Sequence, residues 1–219
     1  MLEARDGLSP AYESLFPPLL TPIMWERPGN VPPLVRLLCA YAAKGKQLVL
    51  QKVEMVLGVF QKLLARGATD AQAARLLSAL WRACDLAELQ TYAKPIFELC
   101  IRRASGYKKV GVSLVSTWSV FVARYGAPPL RMQLEAVQPG LAPMVLRGLW
   151  AEYAPLVKGS TERKAAIIST VRLVSEVPEL LADVETCAAL LAAACTMALA
   201  DAGVVGATGD ALAAQEEED

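Results

Sequence analysis

Cysteine is the residue in this sequence whose chemistry is easiest to judge from spacing. The five cysteines are Cys39, Cys84, Cys100, Cys187 and Cys195. A zinc site would need CxxC pairs or an equivalent cluster, and a secreted fold normally holds an even number of cysteines in disulfides. Neither pattern occurs, and each cysteine falls within an apolar helical pattern. We therefore expect buried thiols in a reducing compartment and no bound metal.

Histidine is absent from the 219 residues. Its absence excludes Ser–His and Cys–His nucleophile pairs, histidine-ligated zinc and a histidine pH switch. No close carboxylate pair resembles an acid–base dyad. Gly203, Gly206 and Gly209 are followed by Asp210-Ala211, whereas a phosphate-binding loop needs Lys followed by Ser or Thr. The sequence therefore predicts a protein that is not an enzyme and uses no cofactor.

Basic side chains are the candidates for binding another protein. The candidate protein-binding residues are Arg36, Lys44, Lys108, Lys109, Arg124 and Arg172. Lys108 and Lys109 cluster with Arg102 and Arg103 around one loop between helices, where they could meet an acidic protein surface. The alternative is that these cations are solvated and favoured by the helix dipole at a C-terminus.

The other candidates lie on predicted helical faces. Arg36 and Lys44 share a face with Ala40, and Arg124 follows an apolar stripe. Arg172 lies on a polar face that also holds Glu162, Ser169 and Glu176, and it can pair with Glu176 four residues later. In a helical solenoid, the second helix of each pair usually lines the concave side, so these faces are candidates for contact with a partner. Ordinary solvent exposure of each charge is the alternative.

Helices must position these charges, and almost every segment shows the 3.6-residue period of a helix. Residues expected to cap helix starts are Asn30, Thr69 or Asp70, and Ser160 or Thr161. Asp85 is expected to open another helix. Pro95 interrupts one pattern, so we expect a kink or a fresh start near Lys94. Residues expected to point into the core are Trp25, Trp81, Trp118, Trp150, Ile168, Val171 and Val174.

The starts of the second helices recur regularly. They are predicted at residues 31, 69 and 107, which are 38 residues apart, and the next follows at residue 160 after a longer unit. Antiparallel helix pairs with a period near forty residues are typical of HEAT repeats. The sequence therefore predicts an all-α solenoid of HEAT-type pairs over residues 1–200, with about four pairs and a final helix. Residues 201–219 form an acidic tail that we expect to be disordered.

Composition narrows the classes of partner. Lys and Arg together number 22, as do Asp and Glu, so there is no electrostatic case for nucleic-acid binding. The apolar run at residues 186–200 is shorter than the ~20 residues that span a bilayer, and we interpret it as a buried helix rather than a membrane contact. The charged start, MLEARDGLSP, lacks the apolar core of a secretory signal.

One long segment resembles a known family. Residues 15–45, LFPPLLTPIMWERPGNVPPLVRLLCAYAAKG, resemble the CAS exportins of the importin-β superfamily, which return importin-α from the nucleus to the cytoplasm. Shorter matching words follow in the same order: GVFQKLLA (58–65), RYGA (124–127), VQPGLAPMVL (137–146) and ERKAA (162–166). The resemblance covers roughly residues 7–180, and the Ala-rich stretch from residue 182 matches poorly.

The resemblance implies a HEAT superhelix that wraps importin-α together with Ran-GTP and shuttles between nucleus and cytoplasm through the nuclear pore. It also implies a chain several times longer, because the N-terminal arm that holds much of the Ran surface and the last repeats are missing. We expect a C-terminal piece of such an exportin, monomeric or part of a longer chain. The family has no catalytic motif, and no contact residue is carried over.

Two other functions stay open on the sequence alone. A generic HEAT scaffold, such as a regulatory subunit of a phosphatase-like assembly, would share the architecture and differ only in its partner. An enzyme using lysine and carboxylates in a pocket between helices would belong to another class, and a strongly shifted lysine pKa in a closed cavity would support it.

Overall fold

The computed structural model describes residues 7–104 and 108–202, and all regular elements within these ranges are helical. The α-helices are α1 (Pro10–Leu19), α2 (Val31–Lys44), α3 (Lys46–Gln51), α4 (Val53–Leu64), α5 (Asp70–Ala83), α6 (Leu86–Ala104), α7 (Lys108–Tyr125), α8 (Ala127–Val137), α9 (Leu141–Val145), α10 (Ala151–Tyr153), α11 (Ser160–Glu176), α12 (Pro178–Ala182) and α13 (Val184–Asp201). A π-helical turn joins α9 to α10. The chain divides into two compact units, Met1–Thr117 and Trp118–Asp219, and the boundary falls within α7.

In the first unit, the second helices of successive pairs pack side by side. They are α2, α5 and α7, and they begin 39 and 38 residues apart. Helix α2 packs on α5, and α5 packs on α4. Thr117 of α7 donates a hydrogen bond to the carbonyl oxygen of Ala74 at 3.1 Å. It also accepts a hydrogen bond from the hydroxyl of Ser78 at 3.2 Å. The predicted repeat spacing is therefore confirmed to within one residue.

The four tryptophans are core residues, as predicted. Each is at most 2% exposed. Trp25 donates from Nε1 to the carbonyl oxygen of Leu19 at 2.9 Å, and Trp150 donates to Thr170 Oγ1 at 2.9 Å. These bonds satisfy the polar atom of a large side chain that otherwise contributes apolar area.

The predicted side-chain cap at Asn30 is wrong. Its side chain makes no cap hydrogen bond, because α2 continues with Pro32 and Pro33 at positions that would otherwise supply N–H donors. Ser160 is likewise not a cap but the first helical residue of α11, after Gly159. Helix α2 thus begins with prolines in its first turn, and α11 begins after a glycine, where the sequence predicted side-chain caps.

Helix α6 begins directly after Asp85, as predicted. The backbone N–H of Asp85 donates to Glu88 Oε2 at 2.7 Å. Lys46 binds both carboxylates, at 3.1 Å to Asp85 and 2.8 Å to Glu88, and Lys46 and the Asp85 N–H both lower the pKa of Glu88. The helix then runs unbroken through Pro95 to Ala104, so a fresh start near Lys94 is wrong.

The face predicted to point inward on α11 is also wrong. Ile168 is 55% exposed and Val171 is 49% exposed, whereas Ser169 and Thr170 are completely buried. The buried hydroxyls are satisfied, since Ser169 donates to the carbonyl oxygen of Ser119 at 2.8 Å and Thr170 donates back along its own helix. Small bonded side chains let α11 approach its neighbours α8 and α13 closely, which outweighs the hydropathy of the opposite face.

The final helical segment is two helices rather than one. Helix α12 ends at Ala182, and Asp183 caps α13 by accepting the backbone N–H of Thr186 at 3.1 Å and its hydroxyl at 2.7 Å. Among the described helices, α13 is the one that is long and apolar enough to cross a membrane. The core helix of a soluble protein meets the same test of length and composition. Helix α13 packs on α11, with Leu190, Ala194 and Met197 buried and Leu191 and Leu199 exposed, so the predicted buried helix is only half correct. Helix α13 continues through Asp201, and residues 203–219 of the predicted tail lie outside the described residues.

Removing the cap of α13 should measurably weaken that helix. We expect Asp183→Ala to lower the free energy of unfolding, because an N-cap bond to the first turn is lost. Asp183→Asn keeps the acceptor and should retain most of the stability. Urea unfolding followed by tryptophan fluorescence measures both variants, and equal losses from Ala and Asn would contradict the role of the cap.

The cysteines only partly match the prediction of buried thiols. None of the five forms a disulfide in the described chain; Cys84 and Cys100 are buried, Cys39 and Cys187 are partly exposed, and Cys195 is exposed. Burial raises the pKa of Cys100 to about 12 and also raises the pKa of Cys84. The two buried thiols therefore stay protonated near neutral pH and act as small apolar side chains.

Candidate protein-binding surface

The second helices of the first unit carry charge of nearly one sign. We call their exposed cations the basic row: Arg36, Lys44, Arg75, Arg82 and Lys109. Helix α2 contains no acidic residue, α5 contains only Asp70, and α7 contains none. Because these helices pack side by side, the basic row presents positive charge on successive repeats, which would favour an acidic surface on a protein partner.

The single acidic residue of these helices is turned away from the basic row. The side chain of Asp70 is 9% exposed, and its two carboxylate oxygens accept hydrogen bonds from Nε and Nη2 of Arg103 at 3.0 and 2.9 Å. This bidentate pair joins the start of α5 to the end of α6. Asp70 is therefore neutralised within the fold and does not offset the charge of the basic row.

Arg36 and Arg75 hold equivalent positions in adjacent repeats, since each lies five residues after the start of its helix. The thiol of Cys39 in α2 lies 3.8 Å from the carbonyl oxygen of Arg75 in α5, which fixes the register between the two helices. Lys44 and Arg82 lie near the C-terminal ends of the same two helices. The charges thus recur with the repeat rather than clustering at one point.

The predicted candidates in the first unit lie on this surface. Arg36 and Lys44 are exposed, but Ala40 between them is buried, so they are separate positions and not a continuous polar stripe. Lys109 is exposed. Lys108 lies in α7, and its side chain falls outside the described part of the chain.

The predicted basic loop cluster is smaller than the sequence suggested, because Arg103 is bound to Asp70. Arg102 remains exposed. Sequence reasoning also missed Arg75 and Arg82. The signal that could have found them is the near-absence of acidic residues from α2, α5 and α7, which a count of charges helix by helix would have shown.

In the second unit, Arg124 is exposed near the end of α7, but Arg172 serves the fold. Its guanidinium donates to the carbonyl oxygens of Val122 and Ala123 at 2.9 and 3.0 Å. It also pairs with Glu176, as the spacing predicted. Arg172 therefore supplies a side-chain donor to two carbonyl groups at the C-terminal end of α7, and that of Val122 also accepts the backbone N–H of Gly126.

Glu176 completes this connection by accepting the backbone N–H of Ala127 at 2.9 Å, at the start of α8. Gly126 lies between the two helices with φ of 96° and ψ of 168°, a conformation that is essentially restricted to glycine. Arg172, and secondly the Ala127 N–H, lower the pKa of Glu176. We call Arg172, Glu176 and Gly126 the α7–α8 clasp.

The described residues form no candidate metal site at these surfaces. Within residues 7–104 and 108–202, no group of three or more Cys, Asp or Glu side chains is placed to hold a metal ion. What the first unit does present is a repeated row of basic donors, which are groups that bind carboxylates.

The chain was compared with known protein families and with curated proteins. The family model for the C-terminus of CAS/CSE proteins matches residues 1–219. Exportin-2 of Oreochromis niloticus is 35% identical over 190 residues, covering 83% of this chain and 19% of that protein. Exportin-2 of Homo sapiens is 32% identical over 185 residues, covering 81% of this chain and 19% of that protein. The chain thus spans about a fifth of the length of these relatives.

A comparison with solved structures agrees with the sequence matches. The structure of the exportin Cse1 in its cargo-free, cytoplasmic state superimposes with a TM-score of 0.74 at 26% sequence identity. The superposition covers 79% of this chain and 19% of that one. The predicted fold class, an α-solenoid of HEAT-type helix pairs, is therefore confirmed.

Proposed function

Since the chain belongs to the CAS/CSE family of exportins, we propose that it is a segment of a nuclear export receptor that binds importin-α cooperatively with Ran-GTP and returns it to the cytoplasm. The receptor would shuttle through the nuclear pore and so support protein import. The observation that carries this proposal is the match of the family model to residues 1–219, together with the basic row on the second helices.

The part of this segment in recognition is to supply protein-binding surface. The basic row would contact carboxylates on importin-α, because Arg36 and Arg75 repeat the same donor chemistry along the array. Arg124 and Lys108 extend the set of candidates. Contacts to Ran-GTP would come mainly from parts of the receptor outside this segment.

The mechanism we propose is thermodynamic rather than chemical. A solenoid stores strain when it closes around a ligand, and a second ligand that favours the closed form offsets that strain. Importin-α and Ran-GTP then bind cooperatively, and each raises the affinity of the other by the same factor. The chain supplies no catalytic group and no cofactor, and GTP hydrolysis belongs to Ran.

Reversing charge on the basic row should weaken capture of importin-α. We expect Arg75→Glu combined with Arg82→Glu to reduce binding at least tenfold at ~0.1 M salt, because two attractive contacts become repulsive. The measurement is retention of purified importin-α by the immobilised chain, and by a full-length receptor carrying the same changes, with and without Ran-GTP.

The matched control is Lys94→Glu, which reverses an exposed charge on α6, a first helix of the same unit. It should leave retention unchanged. If the full-length receptor loses importin-α through the control as readily as through the double variant, the basic row is not the binding surface. A pull-down from cell extract that recovers phosphatase subunits and no importin-α would instead favour the generic scaffold.

A further inference from the structure

Helices α4 and α6 of the first unit line an apolar groove. Its volume is about 270 Å³, and its walls include Leu57, Ile96 and Leu99. The space exists because α4 carries Gly58 at this point: a Cβ atom there would meet no atom within 4 Å. The groove is therefore a gap left between two helices by one missing side chain.

The lining of the groove also includes hydrogen-bond acceptors, the carboxylate oxygens of Glu54. Glu54 accepts a hydrogen bond from the hydroxyl of Tyr92 at 3.2 Å and forms no ion pair with any residue that the structure describes. Desolvation, and secondly Glu54, raise the pKa of Tyr92, so its hydroxyl stays protonated and directed at the carboxylate.

The apolar walls and the acceptors together define a ligand. We propose that this groove binds a peptide segment in which a large aliphatic side chain is followed or preceded by arginine or lysine. The aliphatic side chain fills the space beside Gly58, and the cation donates to Glu54. This inference is independent of the proposed binding of importin-α, because it concerns helices α4 and α6 and the carboxylate of Glu54 rather than the basic row.

Size and charge exclude other occupants. Pockets for small molecules and cofactors usually measure ~300–1,000 Å³, and this groove is smaller, so it accommodates one or two side chains. An acidic peptide would place its charge against Glu54 and be repelled. An apolar peptide without a cation would leave the carboxylate with Tyr92 as its only described donor.

The probe is a tetrapeptide, acetyl-Gly-Arg-photoleucine-Gly-amide, irradiated with the intact chain at ~1 mM because one side chain and one exposed ion pair give weak binding. Mass spectrometry of the digest locates the label. We expect labelling to concentrate within residues 54–61 and 92–99. Excess unlabelled Gly-Arg-Leu-Gly should reduce it at least fivefold, whereas Gly-Glu-Leu-Gly and Gly-Arg-Ser-Gly should not.

Two variants test the two halves of the site. Gly58→Leu fills the groove while placing a better helix former on α4, so it should remove labelling without lowering the melting temperature. Glu54→Gln should reduce labelling by the arginine probe at least threefold. The control Ala71→Leu adds the same side chain at an exposed position of α5 and should label like the original protein.

The outcomes separate clearly. Labelling at α4 and α6 that is lost in G58L and retained in A71L supports the proposal. Labelling spread evenly over the chain, labelling unchanged by G58L, or equal competition by the glutamate peptide would overturn it.

Discussion

Replacing Arg103 with methionine is expected to lower the free energy of unfolding by about 3 kcal/mol. The change removes both donors that hold the Asp70 carboxylate, and the side chain of Asp70 is only 9% exposed. A carboxylate left unpaired in such a site costs several kcal/mol, whereas an exposed pair contributes less than about 1 kcal/mol. Urea unfolding monitored by tryptophan fluorescence gives the difference directly.

The neighbouring arginine is the matched control. Arg102 is exposed in the last turn of α6, so Arg102→Met should change the free energy of unfolding by about 0.5 kcal/mol or less. The double variant Asp70→Leu with Arg103→Met removes both charges and should be more stable than Arg103→Met alone. Equal effects of the two arginine variants would show that the Asp70–Arg103 pair adds nothing to stability.

Replacing Arg172 with methionine is the second large expected effect, a loss of about 2 kcal/mol. The guanidinium donates to two carbonyl groups at the end of α7 and pairs with Glu176, so its removal opens the α7–α8 clasp on one side. Lys164→Met, which removes an exposed cation from the same helix, is the control and should have little effect. Hydrogen exchange of the α8 backbone amides reports the local loosening.

The clasp also has a pH dependence whose sign is fixed by Glu176. Its pKa in the folded protein is lowered by Arg172 and by the Ala127 N–H, so the ionised form stabilises the fold. That stabilisation is complete above the unfolded pKa of about 4.3 and is lost as the pH falls through the lower folded value. Arg172→Met should therefore lose less stability between pH 6 and 3 than the original chain, and an unchanged acid profile would argue against the clasp.

Much of the architecture could be predicted from the sequence because the helical apolar period is strong and local. The starts of α5 and α7 fell within one residue of the predicted positions, and all four tryptophans are buried. Such features follow from 3.6-residue spacing and from the size of the tryptophan side chain, and neither needs knowledge of distant contacts. The family resemblance was likewise carried by one contiguous segment, residues 15–45.

The features that could not be predicted depend on partners far away in sequence. The inward face of α11 was misjudged because Ser169 is satisfied by Ser119, fifty residues earlier. Arg172 was expected to face a partner, but its acceptors lie about fifty residues away at the end of α7. Propensity describes a residue by itself, whereas these side chains are decided by which carbonyl groups the tertiary fold brings near.

The exposure of the candidate residues could be predicted in part, and their role in binding a partner stays a prediction. Arg36, Lys44 and Lys109 were correctly placed on exposed second-helix positions, whereas Arg75 and Arg82 became visible only when α2 and α5 were seen to pack side by side. Whether charged residues on two helices form one surface depends on the register between those helices. The contact between Cys39 and the backbone of Arg75 supplied that register.

The reversed face of α11 changes which substitutions natural selection can tolerate there. Ala166, Ser169 and Thr170 are buried, so side-chain volume limits what can replace them. An added methyl group at these positions would push the packed helices apart. Ile168 and Val171 face outward in the described chain and have room for almost any side chain of similar bulk. Along α11, the buried polar positions should therefore evolve slowly and the exposed apolar positions quickly. In most helices the apolar positions are buried and change more slowly than the polar ones.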